Sequence, residues 1–405
     1  MRRLRGYNPG TMSSSIVLAE GVRTPMADYN GRFADTSATD LAVAASRAAL
    51  RRAHFEPEEI GHVIFGNVLQ SSPDAIYLAR HVGLLSGVPK EVPALTVNRL
   101  CGSGFEAIVQ AKHRILLGET EVVLAGGTEN MTQAPFVIRG ARTGLRLGQG
   151  KLEDSLLSGL TDTVPGLAMA ETSDNVARRL GISREEQDAY ALESQRKAAD
   201  ARARGRLAEE IVPVEAKKGR GNITVSEDDH LTLDSTLEGL ARLAPAFGKD
   251  GMVTAGNASG IVDGAAAVVV TTEERARTKG IIPLGRLVAE AVTGCDPAEM
   301  GLGPVSACRA ALAKAGKSLS DMDLIEINEA FAGQILGVIK ELGVDRSKLN
   351  VNGGAIALGH PLGASGTRLT LTLLKELRRR GKRWGLASAC IGGGQGIALV
   401  VEALS

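Results

Sequence analysis

The sequence predicts an α/β fold of packed layers, built from two related halves with an unmatched segment between them. Three observations carry this. Short apolar runs of strand type alternate with longer runs of helical period, the pattern of layered α/β domains. Two blocks recur in the same order about 250–260 residues apart, far beyond the period of a solenoid. The stretch from about 131 to 260 has no counterpart in the second block.

The elements follow in chain order. Residues 37–53 are rich in Ala and Leu with Asp40 near the start, which suits a helix with an acid at its positive end. "EEIGHVIFG" (58–66), "PALTV" (93–97) and "EVVLAGG" (121–127) read as short buried strands. Residues 104–117 place Phe105, Ile108, Val109, Ile115 and Leu116 on one helical face. The repeat aligns "ALRRAHFEPEEIGHVIFGN" (49–67) with "ALAKAGKSLSDMDLIEINE" (311–329), each a helix end, a turn and a strand. It aligns "VNRLCGSGFEAI" from Val97 with "VNGGAIALGHPLGASGTRL" from Val351, each a strand ending in Val-Asn, a glycine loop and a helix. Each helix leads to a strand closing on Gly-Gly, "VVLAGG" and "LASACIGG". Matching order in both blocks argues against chance. Between the halves, 183–210 is helical and charged, and its charge run at 195–206 reads as a solvated face. An insertion that covers a site or mediates assembly has this character.

Composition narrows the function. The chain has 405 residues, 44% of them hydrophobic, enough for more than one core. A net charge of +1 and 3% aromatic residues give no whole-chain bias toward nucleic acid and no broad stacking platform for bases. No apolar run reaches membrane-spanning length. Cys101, Cys295, Cys308 and Cys390 lie far apart without a C-x-x-C pair, which suggests neither a metal site nor a disulfide framework. Free thiols fit a reducing compartment. The start, "MRRLRGYNPGTMSSS", is basic but lacks a signal-type apolar segment, and Asn8-Pro9-Gly10 would break an amphipathic transit helix. It reads as an N-terminal extension with Met12 as an alternative start. A cytoplasmic location is therefore expected, ahead of the mitochondrial matrix.

Four dispersed stretches carry candidate chemistry. Cys101, in "NRLCGSG", would receive the N–H groups and positive dipole end of a helix starting near Gly102. Taken alone, it fits a small core residue at least as well. Asn328, in "EINEAFAG", ends a strand and can hold a water or an oxyanion, or cap the helix expected over Ala330–Leu342. His360 sits in "GGAIALGHPLGASG", a loop of five glycines that lacks the phosphate-binding Gly-Lys-Ser/Thr ending. A histidine in so specified a backbone suits a base or a hydrogen-bond donor near neutral pH. Cys390 precedes three glycines in "ACIGGGQG", a turn able to expose N–H groups to an oxyanion. Two cysteines and one histidine in glycine turns at strand ends suggest a cysteine nucleophile with a second acid/base, hence acyl transfer.

The sequence resembles the thiolases from about Ser14 to Ala403, through "VNRLCGSG", "GGTENMTQAP", "DGMVTAGNASG", "INEAFA", "GGAIALGHPLGASG" and "SACIGGGQG". "VLQSSPDAIYLARHVGL", "LCGSGF" and "TGCDPAEMGLGP" resemble the mitochondrial-type 3-ketoacyl-CoA thiolases within that family. The resemblance implies a fold of two pseudo-twofold-related layered α/β/α/β/α halves plus an inserted loop domain. The N-terminal half would be 1–130 with 261–281, the loop domain 131–260 and the C-terminal half 282–405. It implies CoA-dependent thiolysis of 3-ketoacyl-CoA, or the reverse condensation, with coenzyme A as co-substrate and no metal. Cys101 matches the nucleophile, His360 the base and Cys390 the second acid/base. Asn328 matches the residue that holds a water in one oxyanion hole. The N–H groups of Cys101 and Gly392 match the other hole. Ser259 and Ala255 match residues near the pantetheine, and Leu160, Met169, Phe247 and Phe331 match the lining of the acyl and pantetheine tunnel. A homodimer or homotetramer is implied, with no nucleic-acid or membrane partner.

Two departures stand out. Ala168 stands where acetoacetyl-specific relatives often carry His, which favours the broader-chain type. Thr232 stands where many relatives carry an Arg against the CoA adenine. The competing readings are an acetyl-CoA acetyltransferase restricted to acetoacetyl-CoA, a non-catalytic thiolase-like lipid binder, and a ketoacyl synthase. The intact set Cys101, Asn328, His360 and Cys390 argues against the second. Cys390 argues against the third, which lacks that cysteine.

Overall fold

The computed structural model describes residues 15–404. The basic extension and the alternative start at Met12 lie outside the described residues. Nine strands form one hydrogen-bonded mixed sheet: β1 (Ile16–Arg23), β2 (His62–Gly66), β3 (Ala94–Val97), β4 (Val122–Glu129), β5 (Val262–Thr272), β6 (Gly285–Gly294), β7 (Leu324–Ile327), β8 (Trp384–Ile391) and β9 (Gln395–Ala403). A two-residue strand, Ala27–Asp28, pairs to the side of β5. The order across the sheet is β7-β8-β9-β6-β1-β5-β4-β2-β3.

The repeat read from sequence is visible in this order. At the centre β1 and β6 pair antiparallel through Val17↔Arg286 and Leu18↔Gly285. Outward from there, β1-β5-β4-β2 and β6-β9-β8-β7 show the same succession of antiparallel, antiparallel and parallel pairing. Even the irregularity recurs: β1 slips register between Leu18 and Glu20, and β6 slips between Leu287 and Ala289. β3 extends the first half, and its counterpart is a single bridge, Ile325↔Leu349. The strand expected over 58–66 begins only at His62, because Pro57 opens a short 3-10 turn closed by Glu56 and Glu59.

The helices of eight or more residues are α1 (Ala38–Arg52), α2 (Leu78–Leu85), α3 (Ser103–Leu116), α4 (Met169–Leu180), α5 (Arg184–Ala203), α6 (Gly303–Lys314), α7 (Ala332–Leu342) and α8 (Leu362–Arg379). Ser37 caps α1 by accepting the Asp40 N–H, and Ser183 and Glu186 close a capping box on α5. Three apolar cores hold the helices against the strands. One outer core joins Phe33, Leu41 and Phe55 to Phe65 and Val269. The other joins Leu312 of α6 and Ile335 of α7 to Ile327 and Val400. Between the strands, Phe105 and Ile108 of α3 and Leu369 and Leu373 of α8 meet strand residues of both halves, from Ile64 and Val270 to Ala389 and Leu399. Burying each such side chain stabilises by about 1.5–3 kcal/mol.

α3 and α8 cross at backbone contact. A Cβ on Gly104 would lie 2.6 Å from the Thr367 nitrogen, and one on Gly366 would lie 2.2 Å from the Phe105 nitrogen. Thr367 Oγ1 donates to the Gly104 carbonyl at 3.0 Å across this crossing. The glycines of "CGSG" and "GASG" therefore serve packing as well as the turns.

The segment between β4 and β5 straps both halves. Its hairpin Val214–Lys218 with Gly221–Val225 sends Val214, Ala216 and Val225 into the first outer core. Val176 of α4 and Tyr190 and Leu192 of α5 enter the second.

Candidate active site

Cys101 and His360 hold corresponding places in the two halves. Each immediately precedes the N-cap of an inner helix, Gly102 for α3 and Pro361 for α8. The turn before Cys101 is tightly held. Leu100 has φ +47, an uncommon conformation for a residue other than glycine. Asn98 Oδ1 accepts its N–H at 2.9 Å, and Ser103 Oγ donates to its carbonyl at 2.7 Å while accepting the Arg99 N–H at 2.8 Å. Asn98 and Ser103 thus shape the bend that presents the thiol.

The backbone N–H groups of Gly392 and of Cys101 itself favour the thiolate. Burial opposes them and wins, pushing the Cys101 thiol up to about 11. The helix start therefore does not activate Cys101 by itself. It rests as a thiol and needs a base.

His360 can supply one. It is buried, and burial followed by the nearby Arg368 charge pushes its pKa down to about 3, so the ring is neutral. Its Nδ1 lies 2.5 Å from Ser365 Oγ, and Ser365 Oγ donates to the Pro361 carbonyl at 3.0 Å. With its own proton committed, Ser365 must accept, so Nδ1 carries the imidazole proton and Nε2 keeps its lone pair. Asn328 Nδ2 lies 3.3 Å from that Nε2. Asn328 is not the cap of α7, because the helix starts two residues later than expected and Phe331 holds the N-cap position. Instead its N–H continues the strand to the Ser388 carbonyl, and its side chain turns to His360.

Cys390 is fully buried beside Met300, Ala330, Met169 and Phe331. Burial, and then the charge of Cys101, hold its thiol well above the ordinary range. The turn after it needs glycine: Gly393 and Gly394 have φ +79 and +78 in succession. Gly392 is there for a different reason, since a Cβ would stand 3.2 Å from Leu100 Cδ1 and 3.3 Å from Met169 Sδ.

A cavity of about 450 Å³ opens onto this cluster. Leu160, Met169, Phe247, Ala255, Ser259 and Phe331 all line it, together with His360, Met131 and Leu362. Cys101 packs against the cluster that holds Met131, Leu160 and Leu362, and Cys390 against Met169 and Phe331, so both thiols lie behind residues of the cavity wall. A mostly apolar chamber with few polar groups suits a flexible, largely apolar chain.

Some residues of the site escaped sequence reasoning. Ser365 lay inside the glycine loop already singled out, five residues after His360. Glu129, within "GGTENMTQAP", accepts the N–H groups of Val68, Leu69 and Gly363 and the Asn67 amide, tying three segments around Cys101. Burial nevertheless pushes its pKa up to about 7. Glu326 belongs to the "EINEAFAG" stretch already singled out, whereas Arg368, also buried, is one of several charged residues in α8 and carried no signal of its own.

Comparisons with known proteins match the chain over nearly its whole length. The family model for the thiolase N-terminal domain matches residues 16–274, and that for the thiolase C-terminal domain matches residues 281–403. The mitochondrial 3-ketoacyl-CoA thiolase of Homo sapiens is 54% identical over 96% of this chain and 98% of its own. An acetyl-CoA acetyltransferase of Chromobacterium violaceum is 47% identical over 96% of this chain and 100% of its own. The crystal structure of the human mitochondrial enzyme in complex with CoA superposes with a TM-score of 0.93 at 53% identity, over 96% of this chain and 98% of that one.

The cytoplasmic location expected from sequence is corrected here. The human relative and those of Pongo abelii, Bos taurus, Mus musculus and Rattus norvegicus, 52–54% identical, are all mitochondrial thiolases, which points to the matrix. The expectation leaned on free thiols, which suit any reducing compartment, and on a turn at Asn8-Pro9-Gly10 outside the described residues.

Proposed function

The chain belongs to the thiolase family, and from that premise we propose that it cleaves 3-ketoacyl-CoA with coenzyme A to acetyl-CoA and a shortened acyl-CoA. His360 Nε2 takes the Cys101 proton, and the sulfur attacks the 3-keto carbon. The C2–C3 bond breaks, its electrons pass to acetyl-CoA as an enolate, and Cys390 protonates that carbon. The acyl group remains on Cys101 as a thioester. The thiol of CoA then displaces Cys101: Cys390, left as a thiolate, takes the CoA proton, and His360 returns its proton to the Cys101 sulfur. In the condensation direction Cys390 removes the α-proton of acetyl-CoA.

The observation that carries this reading is a neutral His360 on the cavity wall, its Nε2 unprotonated beside Asn328, with Cys101 and Cys390 packed against apolar residues of the same wall. Neither thiol is acidic enough to ionise unaided, so a base beside them is required. The N–H groups of Cys101 and Gly392 form one oxyanion hole, and His360 with the water held by Asn328 forms the other. Ser259 and Ala255 bear on the pantetheine, and Leu160, Met169, Phe247 and Phe331 on the acyl chain.

We further propose the division into 1–130 with 261–281, 131–260, and 282–405, the middle part covering the ester. Assembly as a homodimer or homotetramer is supported by the half-exposed edge strand β3 and the exposed Tyr77, Leu84 and Leu85 on and beside the neighbouring α2. The deciding experiment compares CoA-dependent thiolysis of acetoacetyl-CoA and 3-ketooctanoyl-CoA. Strong cleavage of the longer substrate is expected. Activity confined to acetoacetyl-CoA would assign an acetyl-CoA acetyltransferase instead.

A further inference from the structure

Two rows of side chains face each other beneath the site. β7 alternates, sending Ile325 and Ile327 into the outer core and Leu324 into the middle one. Glu326 and Asn328 share the inward face with Leu324. Opposite, α8 and its leading turn present His360, Ser365 and Arg368. The rows meet in two rungs: Asn328 Nδ2 to His360 Nε2 at 3.3 Å, and Glu326 Oε2 to Arg368 Nη1 at 3.8 Å. The second is an ion pair but too long for a direct hydrogen bond. Both its side chains are 2% exposed.

Four buried polar atoms at these rungs find no hydrogen-bond partner among the described residues: Asn328 Oδ1, Glu326 Oε2, and Nη1 and Nη2 of Arg368. Leaving a guanidinium buried without partners costs several kcal/mol, about as much as breaking a buried ion pair. An ordered water between the rungs would supply the missing partners.

Resting on the thiolase reading above, we infer that Arg368, aimed by Glu326, is a positioning residue that fixes the catalytic imidazole through a water and Asn328. The chain has one direction. Arg368 can only donate, so the water receives from it and donates to Asn328 Oδ1. That orients the amide with Nδ2 toward His360 Nε2. His360 Nδ1–H then donates to Ser365, and Ser365 donates to the Pro361 carbonyl, which can only accept. A pure donor at one end and a pure acceptor at the other allow one polarity, and that polarity keeps Nε2 unprotonated, its lone pair facing the Asn328 amide until the Cys101 proton replaces that contact.

The test uses the full-length enzyme. Arg368→Met should lower kcat about tenfold to a hundredfold, the usual effect of losing an outer partner of a catalytic group, with KM within about twofold. In an Asn328→Ala background the same change should cost nothing further, because its route to His360 is gone. In ¹⁵N-histidine-labelled protein, His360 should be the Nδ1–H tautomer in the wild type and a mixture in Arg368→Met. Undiminished kcat in folded Arg368→Met, or an equal loss in both backgrounds, would overturn the inference. If that variant does not fold, the wild type decides. An Nδ1–H tautomer with a water bridging Arg368 and Asn328 Oδ1 in a high-resolution crystal structure supports the chain, whereas an Nε2–H tautomer refutes it. Wild-type thiolysis is measured beside these, so failure of the parent reading is seen separately.

Discussion

Ser365 Oγ stands 2.5 Å from His360 Nδ1 and spends its own proton on the Pro361 carbonyl, which leaves the imidazole one tautomer. Ser365→Ala should therefore lower kcat by about tenfold to a hundredfold while KM changes little. Steady-state kinetics on one 3-ketoacyl-CoA decides it. A rise in KM alone would show that Ser365 shapes the cavity rather than the base.

Cys101→Ala should fold normally and form no acyl-enzyme. Intact-protein mass spectrometry after mixing with 3-ketoacyl-CoA reads this directly. Residual thiolysis above background would remove Cys101 from the nucleophile's role.

Cys390→Ala should leave Cys101 open to acylation but stop exchange of the acetyl-CoA α-protons with deuterated water. Burial and the Cys101 charge hold the Cys390 thiol high, as suits a group that returns a proton to carbon. Unchanged exchange would assign the proton transfer elsewhere.

His360 also predicts a pH dependence of stability. Its folded pKa is near 3, whereas an unfolded histidine titrates near 6.5, so below that value only the unfolded chain takes up the proton. His360 should thus remove about 1.4 kcal/mol of stability for each pH unit between roughly 6.5 and 3, falling as pH falls. Denaturation midpoints at pH 7.5 and 5.5 should differ less in His360→Gln than in the wild type.

Gly366→Ala should destabilise by about 1–3 kcal/mol or more, because its methyl would meet the Phe105 backbone. Differential scanning calorimetry reads the lowered transition. An unchanged transition would mean that α3 and α8 separate without cost.

Much of this was legible in the sequence, for identifiable reasons. Val and Ile runs and the glycine turns marked β2, β4 and β8, and the repeat showed that the chain holds two related halves. Cys101, His360 and Cys390 stood out because each sat in a costly glycine turn. The role of Asn328 did not, since an Asn before a helix normally caps it, and only the late start at Ala332 frees the side chain. Ser365, Glu129 and Arg368 act through contacts formed after the layers close, and spacing along the chain carries no trace of those. Nor does sequence reveal that burial outweighs two N–H donors at Cys101.

The crossing of α3 and α8 has a mechanical consequence. Cys101 and His360 ride on the ends of two helices pressed together at Gly104 and Gly366, one from each half. A displacement of either helix carries the other with it, so nucleophile and base move as one body.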